Sequence, residues 1–184
     1  MELAFTEKLI FRSPTALPVE LLDLMEKHFD ELNFVDGEIG TSTRVEKDKR
    51  NSDINFIPWD EWIPAMMWSI MTTANQEYFK FDLEYWESGI QATRYRGEDK
   101  QFYDWHFDEL PNVEKQRKLS CSLLLNDGYE GGELQFDHCH RKPSISPKRG
   151  EIVIFPAWLP HRVTQVTSGT RKSLVGWAWG PPFR

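Results

Sequence analysis

Apolar residues recur at Leu21, Leu22, Met25 and Phe29 between Pro18 and Phe29, the spacing of an amphipathic helix that buries one face. Pro18 suits its first turn, where the missing N–H is no loss. His28 falls in the last turn, where an imidazole interacts favourably with the carboxyl end of a helix, and it is given a structural role only. A second helix is predicted over residues 59–75, starting near Asp60, with Pro64 tolerated in the first turn. Its Met and Trp side chains read as packing against a sheet. Between the helices, residues 36–53 are polar and densely charged, the composition of an exposed connector. Arg50-Asn51-Ser52-Asp53, just before the apolar run 54–57, is the part of it that could fold over a pocket mouth.

From Phe81 onward the period shortens to two. Ile90 to Tyr95 reads as a strand ending in the turn Arg96–Lys100, and a second strand follows through Tyr103-Asp104-Trp105-His106-Phe107-Asp108. After a polar loop at 109–117, Leu119, Cys121, Leu123 and Leu125 alternate onto one face, with Cys121 as a small buried apolar residue. The turn Asn126–Gly132 and the strand Glu133–Phe136 predict a hairpin. Glu151–Phe155 is apolar on both faces, the mark of a strand buried between layers, and Pro156 stops it. Extended structure resumes from His161 to Val166, and Arg171 to Trp179 closes the chain. Two early helices followed by about seven short strands predict a mainly β fold with flanking helices (α+β), a double-sheet β-barrel of the jelly-roll or cupin type. A single domain is expected over 1–184, with helical support at about 15–80 and a barrel core at about 85–182.

Composition narrows the function classes. The 184 residues carry 22 basic and 29 acidic side chains, and the net charge of −7 argues against a nonspecific hold on nucleic acid or an anionic membrane. Two cysteines, Cys121 and Cys139, exclude a disulfide scaffold or a four-cysteine zinc module. With no signal-peptide pattern and no apolar run long enough to span a bilayer, a soluble, cytoplasmic protein is expected. The 8 Trp, 12 Phe and 5 Tyr read mainly as filling for a β-rich core, with some left for a pocket.

The chemistry concentrates at His106 and Asp108. In a strand, residues two apart project from one face, so this imidazole and carboxylate could grip one ion. His161, ahead of another strand-like run, supplies a third ligand. Two histidines and a carboxylate on one face of a metal, with the opposite positions open, is the arrangement of non-haem Fe(II) oxygenase sites. On the last strand Arg171, Ser173, Val175 and Trp177 share a face, and an inward Arg among apolar neighbours needs an anion, ideally a carboxylate matched to its fork. Trp105 and Phe107, flanking the ligand His on the opposite strand face, are assigned to the core. Trp158, Trp177 and Trp179 are assigned to the pocket. Asp137-His138-Cys139-His140 is the rival metal site.

In these residues the chain resembles the Fe(II)- and 2-oxoglutarate-dependent oxygenases, in particular their prolyl 4-hydroxylase-like branch of bacterial and phage type. The resemblance covers roughly residues 85–182. It rests on Arg94-Tyr95 ahead of a glycine turn, Tyr103 before His106-x-Asp108, Lys118-Leu119-Ser120, and Tyr129-Glu130-Gly131-Gly132-Glu133-Leu134. Phe155-Pro156, His161-Arg162-Val163-Thr164 and Gly169-Thr170-Arg171-x-Ser173-Leu174 complete it. The resemblance implies a double-stranded β-helix. It implies that His106, Asp108 and His161 hold Fe(II), and that Arg171 binds the distal carboxylate of 2-oxoglutarate with Ser173 and Tyr95 as helpers. O2 is then the oxidant, ascorbate a supporting reductant, and the products are succinate, CO2 and a hydroxylated prolyl or other amino-acid residue.

Two other classes compete. A catalytically silent jelly-roll module binding a ligand or protein would not need all three ligands and the Arg, and a zinc hydrolase on the same triad would lack a general base. The substrate, whether peptide, protein or small molecule, is not named by any stretch, although 40–55, 97–102 and 109–117 are placed to contact it.

Overall fold

The computed structural model describes residues 9–13, 16–39, 45–109, 114–138 and 143–183. The larger sheet runs, in spatial order, through β1 (Phe11–Arg12), β12 (Ile152–Pro156), β8 (Gln116–Leu124), β15 (Thr170–Gly180), β6 (Gly89–Arg96), β4 (Asp53–Pro58) and β2 (Val35–Asp36), with β5 (Tyr85–Trp86) on the far end of β15. The smaller sheet orders β11 (Ser144–Ile145), β10 (Leu134–Phe136), β13 (His161–Val163), β7 (Phe102–His106) and β3 (Arg50–Asn51). A short pair, β14 (Val166–Ser168) with β9 (Glu130–Gly131), joins the two at one end. The ladders are antiparallel, as in β12 on β8 and β13 on β7.

Alternation along the central strands sorts their side chains between two cores. Leu119, Cys121 and Leu123 of β8, together with Ile152 and Ile154 of β12, face the helices. Val153 and Phe155 of β12 face the other way and pack with Leu134, Phe136 and Val163 of the smaller sheet. β12 is therefore the strand buried between layers that its doubly apolar sequence predicts. Helix α1 (Val19–Asp30) follows Pro18 at its N-cap and buries Leu22, Met25 and Phe29. Helix α2 (Trp62–Ala74) carries Pro64 in its first turn and buries Ile63, Met67 and Met71. Complete burial of each such side chain contributes roughly 1.5–3 kcal/mol. A π-helical turn, Asn75–Phe79, extends α2 and ends at Lys80, whose φ of 58° is left-handed. The Asn75 side chain closes it by accepting from Phe81 N–H and donating to Phe81 C=O.

Two expectations are overturned. No hairpin joins β8 to the strand after Gly132, because β8 belongs to the larger sheet and β10 to the smaller one. Gly128, Gly131 and Gly132, with φ of 82°, 74° and 62°, turn the chain across the gap. Alternation in two neighbouring strands looks the same whether they pair or face each other, so the pattern alone could not tell. Nor is the 36–53 segment only an exposed connector: Arg50, Ser52 and Asp53 are buried. β4 pairs with β6 along its length, and the Asp53 carboxylate accepts from Arg94, Arg96 and Gln101. That cluster ties the first half of the chain to the turn before β7.

Candidate active site

β7 ends at His106, and β13 begins at His161, and these two histidines are direct partners across the ladder. Asp108 lies beyond the strand end, which differs from the expected pair on one strand face. Its backbone N–H donates to Ala157 C=O at 3.0 Å, and that turn swings the carboxylate back toward the imidazoles. The ligand atoms of His106, Asp108 and His161 all lie within 4.8 Å of one another. Among the described residues this is the group that could hold a metal. The rival Asp137–His140 falls partly outside the described residues, at Cys139 and His140.

Each histidine is oriented by the same device. Nδ1 of His106 lies 2.7 Å from Asp104 C=O, and Nδ1 of His161 lies 2.9 Å from Leu159 C=O. A carbonyl can only accept, so each Nδ1 carries the proton and each Nε2 presents a lone pair to the centre. Those Nε2 atoms lie 3.7 and 3.5 Å from the Asp108 oxygens. Burial, and then the neighbouring His161, push His106 down to about 3, so it stays neutral and able to ligate across the physiological range. Burial alone would raise the Asp108 carboxyl, but His161, His106 and the Ser120 hydroxyl outweigh it and hold it below its ordinary value. Tyr103 stacks on His106 at 3.5 Å between ring centres, and Phe155 meets His161 edge-on.

The second half of the site lies on β15. Arg171 is 1% exposed, and its Nη1 donates to Ser173 Oγ at 2.9 Å while its Nε has no partner among the described residues. A buried guanidinium with an unused N–H in a pocket shared with the triad fits a carboxylate ligand. Tyr95 lines the same pocket, its ring 5.7 Å from the Arg171 guanidinium carbon. Burial raises the Tyr95 hydroxyl, and it lifts Tyr103 to about 12, so both remain protonated donors. Arg50, Arg117 and Arg171 line the pocket against the single carboxylate of Asp108, a balance that suits an anionic chelator. The donor set of two imidazoles and one carboxylate fits Fe(II), and Arg171 with its spare N–H fits 2-oxoglutarate beside it.

The structure brings the sequence-predicted residues His106, Asp108, His161, Arg171, Ser173, Tyr95 and Trp177 to the lining of one pocket. Phe107 is a correction, because it is 61% exposed and lines the pocket mouth instead of packing in the core. The irregular turn that brings Asp108 round also turns Phe107 out, so strand alternation does not reach it. Trp158 packs beside the second core, and Trp179 lines a separate groove. Ser120, which bonds Asp108, was not given a site role, whereas Arg50, which sits 4.6 Å over the Tyr103 ring and lines the pocket, belongs to the stretch expected at a pocket mouth. An inward Ser two before the buried Ser122 on β8, and an Arg just ahead of an apolar run, were the available signals.

Comparison with known proteins adds a consistent set of likenesses. The family model described as the 2OG-Fe(II) oxygenase superfamily matches residues 90–179. A PKHD-type hydroxylase of Synechococcus sp. (strain CC9311) is 31% identical over 161 residues, covering 84% of this chain and 70% of the relative. One of Crocosphaera subtropica is 30% identical, covering 86% and 71%. Among solved structures, a Pseudomonas putida prolyl-4-hydroxylase superposes with a TM-score of 0.74 at 23% identity, over 92% of this chain and 91% of the other. A Trichoplax adhaerens prolyl hydroxylase, in complex with a hypoxia inducible factor oxygen degradation domain peptide fragment, gives 0.76 at 17% identity, over 94% and 84%. These structural neighbours share the double-stranded β-helix of the present chain.

Proposed function

Since the chain belongs to the 2OG-Fe(II) oxygenase superfamily and is a 2-oxoglutarate-dependent hydroxylase, we propose that it hydroxylates a prolyl or other amino-acid residue of a peptide or protein, with His106, Asp108 and His161 as the iron ligands. The observation that carries the site assignment is the convergence of those three ligand atoms within 4.8 Å in a pocket that also holds Arg171. Arg171, helped by Ser173 and Tyr95, binds the distal carboxylate of 2-oxoglutarate. The chain acts as one domain over 1–184, a reading supported by the pairing of β4 with β6 across its two halves. We place it in the cytoplasm, in keeping with the free thiol of Cys121; no helix among the described residues is long and apolar enough to cross a membrane.

Bound Fe(II), with 2-oxoglutarate and O2, supplies the oxidising power that couples release of succinate and CO2 to insertion of one oxygen into a C–H bond. The residues of the chain do the positioning. His106 and His161 offer neutral Nε2 atoms whose direction is set by Asp104 and Leu159 carbonyls. Asp108 supplies the negative charge, and Ser120 fixes one of its oxygens. The Tyr95 and Tyr103 hydroxyls stay protonated, so they donate to an anionic cosubstrate and do not repel it. Leu134, Phe155 and Val175 form apolar walls that restrict water around the reacting centre.

The test is a screen of purified protein with Fe(II) and 2-oxoglutarate over proline-containing peptides and free amino acids. Succinate release matched by a gain of one oxygen in a peptide is the expected result. Coupled turnover confined to free amino acids or other small metabolites would overturn the substrate reading. Asp108→Ala should abolish turnover in either case.

A further inference from the structure

Arg50 stands on β3, the edge strand of the smaller sheet, where its cross-strand partner is Tyr103. Its guanidinium carbon lies 4.6 Å over the Tyr103 ring, and the His106 imidazole stacks on the same ring at 3.5 Å with 11° between the planes. A face covered that closely has no room for a guanidinium, so Arg50 occupies the other face, one aromatic ring from His106. Arg50 is 6% exposed and lines the metal pocket. It is held from behind, with Nε donating to Ser52 Oγ at 3.0 Å and Nη1 to Glu38 C=O at 2.7 Å. Gly37 leaves the space for this arrangement, because a Cβ there would meet Ser52 Oγ at 2.5 Å and Arg50 Nε at 2.7 Å. Nη2 is buried with no partner among the described residues.

The charge of Arg50 is left over as well. The charged side chains on the pocket lining are Asp108, Arg50, Arg117 and Arg171. Arg117 is offset by Glu87, which lies 3.0 Å from its Nε. With Fe(II) and 2-oxoglutarate bound, the two cosubstrate carboxylates and Asp108 offset the divalent ion and Arg171, charge for charge. Among the described residues, Arg50 then remains the cation of the lining that has no anion, held by neutral oxygens and a ring. A buried guanidinium held only in this way is costly, and a substrate covering the pocket desolvates it further.

We propose that Arg50 is a specificity-determining residue that binds a carboxylate of the peptide substrate through Nη2, so that the enzyme selects peptides with an acidic group close to the hydroxylated residue. This rests on the reading of the chain as a peptide hydroxylase with its metal at His106, Asp108 and His161. A main-chain carbonyl can accept from Nη2 but leaves the charge uncompensated, whereas a carboxylate does both. With one ring between the guanidinium and His106, the carboxylate belongs within about two residues of the reacting position, at roughly 3.3 Å per extended residue. An Asp or Glu side chain and a free C-terminus offer the same group.

The probes are pools of short acetylated peptides with one fixed proline and mixed neutral residues around it. The first pool carries Asp or Glu within two residues of the proline and an amidated C-terminus, and the second has Asn or Gln in their place. The third repeats the second but ends two residues after the proline in a free carboxylate. Peptides retained by the Fe(II)- and 2-oxoglutarate-loaded protein without O2 are counted by mass spectrometry for the parent, Arg50→Gln and Arg50→Lys. Folding is checked by circular dichroism, and affinity for 2-oxoglutarate is measured by calorimetry. The parent is expected to retain at least one acidic pool about tenfold more than the amide pool, and which one tells a side-chain carboxylate from a C-terminal one. Arg50→Gln should erase that preference and Arg50→Lys should lower it several-fold, while the affinity for 2-oxoglutarate changes by no more than about twofold. A parent that retains neither acidic pool above the amide pool overturns the proposal, as does a preference that survives in folded Arg50→Gln. Should Arg50→Gln not fold, an unchanged preference in Arg50→Lys overturns it alone. Loss of 2-oxoglutarate affinity with an unchanged peptide preference assigns Arg50 to the cosubstrate and overturns it too. Arg50-dependent retention of acidic peptides that gain no oxygen once O2 is admitted leaves the carboxylate site standing and removes the peptide-hydroxylase reading. Hydroxylation of amide-pool peptides as efficient as that of acidic ones does the reverse.

Discussion

The Ser120 hydroxyl donates to Asp108 Oδ2 at 2.7 Å, linking the centre of β8 to the one triad member that lies off a strand. Ser120 is fully buried, and its partner on β12 is Phe155, whose ring packs against His161. One serine thus holds the carboxylate in register with both imidazoles.

Ser120→Ala should therefore weaken metal binding by about 10- to 100-fold, the usual cost of losing a group that orients a ligand. The metal-free protein should also lose roughly 1–3 kcal/mol, because a buried carboxylate loses a donor. Anaerobic Fe(II) or Mn(II) titration and urea unfolding measure the two effects. Unaltered affinity would mean that the Ala157 turn alone positions Asp108.

Why the candidate ligands stood out in the sequence and their supports did not follows from how each is specified. His106, Asp108 and His161 stand beside strand-like runs, and Arg171 and Ser173 share the face of a strand with clear alternation, so local pattern was enough. Cys121 and β12 were legible for the same reason. Arg50, Ser120 and Asp53 acquire their roles through partners between 12 and 53 residues away, which no local period encodes. The crossing between sheets after Leu125 depends on three glycines with positive φ, and a Gly-rich turn reads alike for a hairpin and for a crossing. Phe107 shows the opposite limit: strand alternation was carried one residue too far, past the end of β7.

Arg171→Met separates binding from stability. The guanidinium is buried with no carboxylate partner among the described residues, so in the free protein it is costly to desolvate. An apolar side chain of similar length should leave the stability of the free protein unchanged or raise it by up to about 1 kcal/mol. The same change should raise the KM for 2-oxoglutarate at least about 100-fold and remove the thermal shift that 2-oxoglutarate gives the parent protein. A loss of several kcal/mol in unfolding experiments would contradict the assignment of Arg171 to an external carboxylate.

Acid should unlock the first strand. Glu151 is buried and accepts from Arg12 Nε, from Arg12 Nη2 at 2.8 Å and from Lys148 N–H at 2.9 Å. Burial pushes its carboxyl up, but the Arg12 and Lys148 hydrogen bonds outweigh this and hold it below the ordinary 4.5. A depressed carboxylate contributes stability above its unfolded pKa and loses it as pH falls through the folded value. Because the Arg12 side chain is 47% exposed, the contribution is discounted to about 1 kcal/mol. Glu151→Gln should be less stable than the parent by about that amount at pH 7, and the gap should close as pH falls from the ordinary 4.5 through the lower folded value. Urea unfolding across this range is the measurement, and a gap independent of pH would point to packing instead of charge.

Gly132 ties the crossing segment to the cosubstrate side of the pocket. Its φ is 62°, and a Cβ there would meet Arg171 Cδ at 2.8 Å and Val166 Cγ2 at 2.9 Å. Gly128, with φ of 82°, has nothing within 4 Å of the same position. Alanine at either site incurs the left-handed backbone cost of roughly 1–2 kcal/mol, which for a chain of this size lowers the melting temperature by about 2–8 °C. Only Gly132→Ala also displaces Arg171, so it alone should raise the KM for 2-oxoglutarate, by several-fold, while Gly128→Ala leaves that KM at the parent value. Steady-state kinetics of the two variants at matched temperature decides the matter: equal effects on KM would mean that backbone strain, and not contact with the guanidinium stem, links the glycine crossing to the site.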